Sequence, residues 1–247
     1  GIQFLGCSFV NNVPVEAELN YFPSTRGGGI YSVNSSFTVD KLTPTSPDAC
    51  KFKFLYRGIE AYGFNTNKTF TVNEALFDSL CKTIYLNGID NVTITSNDIT
   101  LYDSYVFLPD MAYGLYLDYC TGYKVEENII RKGYVSHSGA VPLHYGIVVR
   151  NSYDDNNFIY NNRIVDMRTG VFALGDNRGP GNAGLQIKCN EFLECSFDIV
   201  VSPDESSAPG TCGIASNQGY GTHQDAPAGN RFGKDIPPNA NSDYNYY

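Results

Sequence analysis

The sequence carries little charge and few basic residues for its length of 247 residues. Lys and Arg number 17 against 26 Asp and Glu, a formal net charge of −9. This balance argues against a nucleic-acid partner, because a phosphate backbone is bound by clustered cations. No apolar run approaches the ~18 residues of a membrane span, so no transmembrane segment is predicted. The three His and seven Cys form neither a Cys-x-x-Cys pair nor a zinc-ligand spacing.

Seven cysteines fit an exported protein better than a cytosolic one, and we predict an extracellular or cell-surface location. The odd number leaves one thiol over, and the segment with Cys189, Cys195 and Cys212 is short enough to hold a disulfide. The chain starts at Gly1 with neither an initiator Met nor the apolar stretch of a signal peptide. We therefore interpret it as an N-terminally incomplete fragment of a longer polypeptide with further domains.

Glycine and asparagine are abundant, with 24 of each, and they mark a repeat. A small residue, usually Gly, precedes a short apolar strand about every 28 residues. The leading apolar positions are Ile2, Ile30, Ile59, Ile84, Leu115, Ile147, Val171 and Ile199. A second and a third strand follow in most repeats, separated by turns of Gly and Asn, residues that tolerate tight corners. The chain is predicted to coil above itself, with successive coils pairing in parallel.

The strand pattern of residues 146–149 (Gly-Ile-Val-Val) and the turn pattern of residues 162–164 (Asn-Arg-Ile) resemble the right-handed parallel β-helix of the pectate-lyase-like superfamily. The resemblance implies an all-β solenoid of about eight coils with three short strands each, over residues 1–202. Residues 203–247 contain five prolines and predict an irregular C-terminal cap. Residues 221–232 are similar to the closing segment of β-helix domains in type IX secreted proteins of Bacteroidetes-type bacteria. One short helix, of one or two turns, is predicted at residues 73–80.

Alternation along the strands predicts two outward-facing columns on one flank of the coil. One column reads Gln3, Tyr31, Glu60, Tyr85, Tyr116, Val148, Phe172 and Val200, and its neighbour reads Leu5, Val33, Tyr62, Asn87, Asp118, Arg150, Leu174 and Ser202. Tyrosine rings offer sugars a flat apolar surface, and the polar side chains can bond hydroxyls. The candidate ligand-binding residues are therefore Tyr31, Tyr62, Tyr85, Asn87, Tyr116, Asp118 and Arg150. The alternative is that the stacked aromatics only stabilise a sheet.

Asp118 and Arg150 occupy matching offsets in consecutive coils and predict an ordinary surface salt bridge. They are also the candidates if the chain is an enzyme. A uronate lyase would use several carboxylates to hold Ca²⁺, and a glycosidase needs two carboxyl groups about 5 to 10 Å apart. No cofactor is predicted. Asp154, Asp155 and Asn157 could supply oxygen ligands to Ca²⁺, but they lack the spacing of a calcium loop and are interpreted as a solvated turn.

These observations favour a non-catalytic β-helix domain of an exported bacterial surface or secreted protein. It would act as a rigid stalk, an adhesin or a glycan-binding module, with a glycan or a cell surface as partner. Two alternatives remain open: a carbohydrate-active enzyme, lyase or hydrolase, using the tyrosine-lined face, and a secreted cargo domain with only a structural role. Carboxylates that converge in one groove would favour the enzyme.

Overall fold

The computed structural model describes residues 1–12, 26–64, 68–102, 111–133, 143–153, 155–181, 183–204, 212–219 and 228–233. These residues form 22 β-strands. No helix long and apolar enough to cross a membrane occurs within those ranges.

The strands follow one another in groups of three, and each group makes one coil. Coil one contains β1 (Ile2–Leu5), β2 (Ser8–Val10) and β3 (Gly28–Val33), and coil two contains β4 (Phe37–Asp40), β5 (Lys51–Lys53) and β6 (Arg57–Tyr62). Coil three contains β7 (Phe70–Asn73), β8 (Leu76–Leu80) and β9 (Lys82–Asn87), and coil four contains β10 (Val92–Thr95), β11 (Asp98–Leu101) and β12 (Ala112–Asp118). Coil five contains β13 (Lys124–Glu126), β14 (Ile129–Lys132) and β15 (His144–Arg150), and coil six contains β16 (Asn156–Tyr160), β17 (Arg163–Val165) and β18 (Thr169–Leu174). Coil seven contains β19 (Gly184–Lys188), β20 (Glu191–Leu193) and β21 (Phe197–Ser202), and β22 (Arg231–Gly233) follows it.

Corresponding strands of successive coils pair to form three sheets. Sheet 1 runs β1-β4-β7-β10-β13-β16-β19, sheet 2 runs β2-β5-β8-β11-β14-β17-β20-β22, and sheet 3 runs β3-β6-β9-β12-β15-β18-β21. Every pairing within them is parallel, for example β12 with β15 and β20 with β22. The prediction of a right-handed parallel β-helix is confirmed. The structure has seven complete coils and one further strand, β22, from within the segment predicted as an irregular cap.

The first predicted strand lies in a different sheet from the one expected. Ile2 pairs with Phe37 in sheet 1, whereas Ile30 pairs with Ile59 in sheet 3. The other leading positions, from Ile30 to Ile199, align in sheet 3 as predicted. Gly-Ile is a local pattern, and in a coil of three strands it does not determine which of the three sheets its strand joins. Gln3 and Leu5 therefore do not belong to the predicted outward columns.

The helix predicted at residues 73–80 is wrong, because this segment contains β8. Phe77 and Leu80 are both fully buried although they are three residues apart, the spacing of one helical face. A bulge reconciles this spacing with a strand: Thr100 pairs with Asp78 and Leu101 with Leu80, which leaves Ser79 as the extra residue. The φ of Ser79 is +61°, as expected for a residue that re-aims the strand.

The core is a set of columns of like side chains inside the coil. In sheet 2 the rings of Phe9, Phe52 and Phe77 stack in successive coils with centroids 4.7 Å apart. The column continues through Ile99, Ile130 and Ile164 to Phe192 and Phe232. Because each coil repeats the previous one at the strand spacing, like side chains pack on like.

A ladder of asparagines runs along the corner between sheets 1 and 2. Its members are Asn97, Asn128, Asn162, Asn190 and Asn230. Each of the first four donates from Nδ2 to the Oδ1 of the next at 2.9 to 3.2 Å. Each Oδ1 also accepts a backbone N–H from the coil before, so the corner's buried polar groups are paired.

In the first coils the ladder position is occupied by cysteine. Cys50 is fully buried, and its Sγ accepts from the backbone N of Cys7 at 3.2 Å. The same Sγ lies 3.2 Å from the carbonyl oxygens of Phe4 and Asp40. These contacts match those that Asn162 makes with the carbonyl oxygens of Val125 and Tyr160. The Cys50 thiol thus replaces the asparagine amide.

We expect Cys50→Asn to be tolerated, with a change in the free energy of unfolding below about 1 kcal/mol, because the amide finds the same partners. Cys50→Ala should lose about 1 to 2 kcal/mol, since it leaves buried polar groups unpaired. Urea denaturation of the two variants measures the difference. Equal loss in both would show that the thiol does not act as an amide substitute.

Candidate functional site

The outer face of sheet 3 carries a continuous line of tyrosines across its first four coils. Ring centroids are 5.9 Å apart for Tyr31 and Tyr62, 5.7 Å for Tyr62 and Tyr85, and 5.4 Å for Tyr85 and Tyr116. We call these four residues the tyrosine strip. Tyr31 is 69% exposed and the other three are partly exposed. Each comes from a different strand, so the strip exists only because the coils are in register.

The strip ends at the fifth coil. Val148 aligns with Tyr116 and occupies an outward-facing register position, yet it is fully buried. The expectation that this column stays open as far as Val148 is therefore wrong. Beyond Val148 the same column is partly exposed again at Phe172 and Val200, but it carries no further tyrosine.

At its first end the strip borders a cleft of about 490 Å³. The cleft is lined by residues 27–30 and by Tyr31, Tyr56, Arg57 and Glu60. Glu60 accepts hydrogen bonds from Arg57 Nη1 and from Tyr62 Oη, the latter at 2.6 Å. The bond to the Glu60 carboxylate raises the pKa of the Tyr62 phenol to about 12. Tyr62 therefore stays protonated and donating at any physiological pH.

At its other end the strip meets a buried carboxylate. Asp118 is 5% exposed, and its Oδ2 accepts hydrogen bonds from Tyr85 Oη at 3.2 Å and from Asn87 Nδ2 at 2.9 Å. Its Oδ1 has no hydrogen-bond partner among the described residues. Burial raises the pKa of the Asp118 carboxyl, and Arg150, Asn87 and Tyr85 offset only part of that rise.

The guanidinium of Arg150 contacts two carboxylates. Its Nε and Nη2 donate to Asp204 Oδ2 at 3.0 and 2.8 Å, whereas its Nη1 lies 3.6 Å from Asp118 Oδ1. The predicted salt bridge between Asp118 and Arg150 is present, but it is not an ordinary surface pair, because Asp118 is buried and the shorter bonds of Arg150 go to Asp204. The bond to Asp204 raises the pKa of the Arg150 guanidinium, which remains charged.

Sequence reasoning missed one participant in this site, Asp204, and the bonds of another, Glu60. Asp204 follows β21 in the segment predicted as a cap, and no repeat register points to it. Glu60 was recognised as outward-facing, but its bonds to Arg57 and Tyr62 were not predicted. Arg57 lies three residues before Glu60 on β6, so alternation alone would place the two on opposite faces. All seven predicted ligand-binding residues do lie on sheet 3, in adjacent coils.

Of the three possible oxygen ligands for Ca²⁺, the structure describes Asp155 and Asn157. Asp154 lies outside the described residues. Asn157 is fully buried in β16, where its Oδ1 accepts from the backbone N of Tyr123 and its Nδ2 donates to the Ser152 carbonyl. Its side chain is therefore committed to the corner of the coil. Within the described ranges no three His, Cys, Asp or Glu side chains are grouped as metal ligands.

The comparisons with known proteins return no relative. No family model matches the chain, no curated protein is significantly similar in sequence, and no solved structure is significantly similar in fold. None of the seven cysteines forms a disulfide in this structure, so the segment with Cys189, Cys195 and Cys212 does not hold one.

Proposed function

We propose that this β-helix domain is a non-catalytic carbohydrate-binding module. The observation that carries the proposal is the tyrosine strip, four rings from four coils on one open face. Such rings bury the apolar face of a sugar while their hydroxyls bond its rim, and they lose little rotamer entropy on binding. Glu60, Arg57 and Asn87 border the rings and supply polar groups that fix orientation.

The rest of the proposal concerns where such a module would work. A parallel β-helix is a stiff rod, a form that suits a stalk or an adhesin on an exported bacterial protein. The strand and turn patterns resemble those of the pectate-lyase-like superfamily, and residues 221–232 resemble the closing segment of type IX secreted proteins. A secreted or cell-surface location, with further domains on the same polypeptide, is part of the proposal. Because none of the seven cysteines forms a disulfide, the cysteines lend this location no support.

Removing a ring from the strip should weaken glycan binding. We expect Tyr31→Ala and Tyr62→Ala each to lower affinity about tenfold, which corresponds to about 1.4 kcal/mol. A glycan array identifies a ligand, and titration calorimetry with that ligand measures the loss. Tyr160→Ala is the matched control, because Tyr160 is 42% exposed on sheet 1, away from the strip. An equal loss in the control would contradict the proposal.

A glycoside hydrolase is the second candidate, and one observation favours it. Asp118, whose pKa is raised, and Asp204 flank the same guanidinium, which brings together the two carboxyl groups that a glycosidase requires. A lyase that uses Arg150 as its base is disfavoured, because two carboxylates hold the proton on that guanidinium. Incubating the array ligand with the protein separates the two functions: release of shorter sugars, abolished by Asp118→Asn, would establish hydrolysis over binding.

A further inference from the structure

Two exposed tyrosines lie at the corner that follows sheet 3. Tyr119 comes directly after β12, and Tyr153 comes shortly after β15 in the next coil. Their ring centroids are 6.1 Å apart, and the two residues are 38% and 44% exposed. Within the described part of the chain neither hydroxyl makes a hydrogen bond. We call Tyr119 and Tyr153 the corner tyrosines, and both present a ring and a free hydroxyl to solvent.

The backbone at Tyr119 is unusual for a tyrosine. Tyr119 has a φ of +52°, and its N donates to the Arg150 carbonyl at 2.8 Å. In four other coils the residue directly after the sheet 3 strand makes the same bond to the next coil, with φ between +51° and +69°. Those residues are Asn34, Gly88, Asn151 and Gly175. Asn and Gly adopt this conformation readily, whereas a bulky aromatic residue does not. The corner itself therefore gives no reason for a tyrosine.

A series of contacts connects the corner tyrosines to the tyrosine strip. Asp118, the last residue of β12, accepts a hydrogen bond from Tyr85 and lies 3.6 Å from Arg150. The guanidinium carbon of Arg150 lies 5.7 Å from the centroid of the Tyr119 ring. Tyr119 is three residues beyond Tyr116, about 10 Å at the rise of a strand. The two sets of rings are thus neighbours on one side of the coil, and one extended ligand can lie on both.

The charges between the two sets of rings favour a neutral ligand. The guanidinium of Arg150 stands beside Tyr119, and the carboxylates of Asp118 and Asp204 flank that guanidinium. An ammonium group on the ligand would meet the guanidinium, and a uronate would meet the two carboxylates. A β-1,4-linked chain of glucose or N-acetylglucosamine carries neither charge. Its substituents are equatorial, so each sugar offers a flat apolar face to a tyrosine ring.

We infer that the corner tyrosines form a further sugar-binding subsite, continuous with the tyrosine strip, for a neutral β-1,4-linked glycan. The inference rests on the proposed function, and it adds the class of glycan and the two residues that extend the site.

The test titrates the protein with two probes, the hexasaccharides of β-1,4-linked glucose and of β-1,4-linked N-acetylglucosamine, in a calorimeter. We expect at least one of them to bind with one hexasaccharide per chain. Tyr119→Asn, Tyr119→Ala and Tyr153→Ala should each lower the affinity about fivefold. Tyr160→Ala is the matched control and should leave the affinity unchanged, because Tyr160 is 42% exposed but lies on sheet 1.

Urea unfolding of the two Tyr119 variants separates the ring from the backbone. Both variants lose the ring, but only Asn suits the positive φ. The unfolding equilibrium constant of Tyr119→Asn should therefore be about fivefold smaller than that of Tyr119→Ala, although the two lose the same affinity.

Four results would contradict the inference. If both Tyr119 variants bind as wild type while Tyr31→Ala does not, the inference fails and the proposed function stands. A larger loss of affinity in Tyr119→Ala than in Tyr119→Asn would show that the ring acts through stability. Two hexasaccharides per chain would make the corner a separate site. If neither hexasaccharide binds, the inference fails, and the proposed function fails with it only when no glycan on the array binds.

Discussion

Replacing Asn128 by Ala should destabilise the protein by about 3 to 5 kcal/mol. Asn128 is fully buried, and its Nδ2 donates to Asn162 Oδ1 and to the Ile94 carbonyl. Its Oδ1 accepts from both the backbone N and the side-chain Nδ2 of Asn97. The substitution would leave the Asn97 backbone N–H buried without its partner, at a cost of about 1 to 3 kcal/mol. It would also remove the bonds that the side chain makes to the Ile94 carbonyl, to Asn162 Oδ1 and from Asn97 Nδ2. Urea unfolding measures the loss.

Two further variants test whether lost hydrogen bonds account for the destabilisation of Asn128→Ala. Asn73→Ala removes an asparagine that also bonds neighbouring coils, through Asp40 and Thr95, but on the partly exposed face of sheet 1. We expect a loss below about 1 kcal/mol there, because water can replace the bonds. Asn128→Asp keeps the shape and removes the donors, so it should destabilise as strongly as Ala. A stable Asn128→Asp protein would refute the ladder as the source of stability.

Replacing Gly146 by Ala should cost about 3 kcal/mol, although alanine is intrinsically the better residue within a strand by about 0.5 to 1 kcal/mol. A Cβ on Gly146 would lie 2.5 Å from the carbonyl oxygen of Gly170 and 2.8 Å from Cγ2 of Ile164. Both distances are far inside van der Waals contact, so two coils would have to separate. Overpacking of this kind costs about 1 to 3 kcal/mol, occasionally more.

The same sheet supplies the control. Gly28 begins β3, and a Cβ placed there would meet nothing closer than 3.7 Å. Gly28→Ala should therefore change the free energy of unfolding by less than about 0.5 kcal/mol. Because the closest clash of Gly146→Ala is with a backbone carbonyl, adding Ile164→Ala should not rescue it. Rescue by the double variant would show that side-chain packing alone forbids a Cβ.

The glycine repeat predicted the correct architecture, but glycine is required at these positions by close contact between coils and not by the corners of the coil. Gly29, Gly58, Gly114, Gly146 and Gly170 would each place a Cβ 2.5 to 2.7 Å from a carbonyl oxygen of the next coil. None of the five has a positive φ, so close approach, and not a left-handed corner, requires glycine there. The corners instead use residues such as Glu74, Ser96 and Glu127, which precede the ladder position and have φ near +50° to +60°.

The parts of the candidate site that occupy matching positions in successive coils were predictable from the sequence. Tyr85, Tyr116, Asn87 and Asp118 follow from register and alternation, because parallel coils in register place equal offsets side by side. The burial of Val148 and the bonds of Asp204 to Arg150 do not obey the repeat. The bonds of Asp204 depend on the path of the chain after β21, for which no periodicity exists.

Periodicity was enough to establish an all-β coil, the columns of sheet 3 and the tyrosines that line its outer face, because a repeat forces each unit to make the same contacts as its neighbours. Three features depended on the folded chain: the sheet to which Ile2 belongs, the strand in place of the helix at residues 73–80, and the carboxylate that shares Arg150. Each is set by contacts between segments far apart in sequence, and a local pattern contains no information about its distant partner.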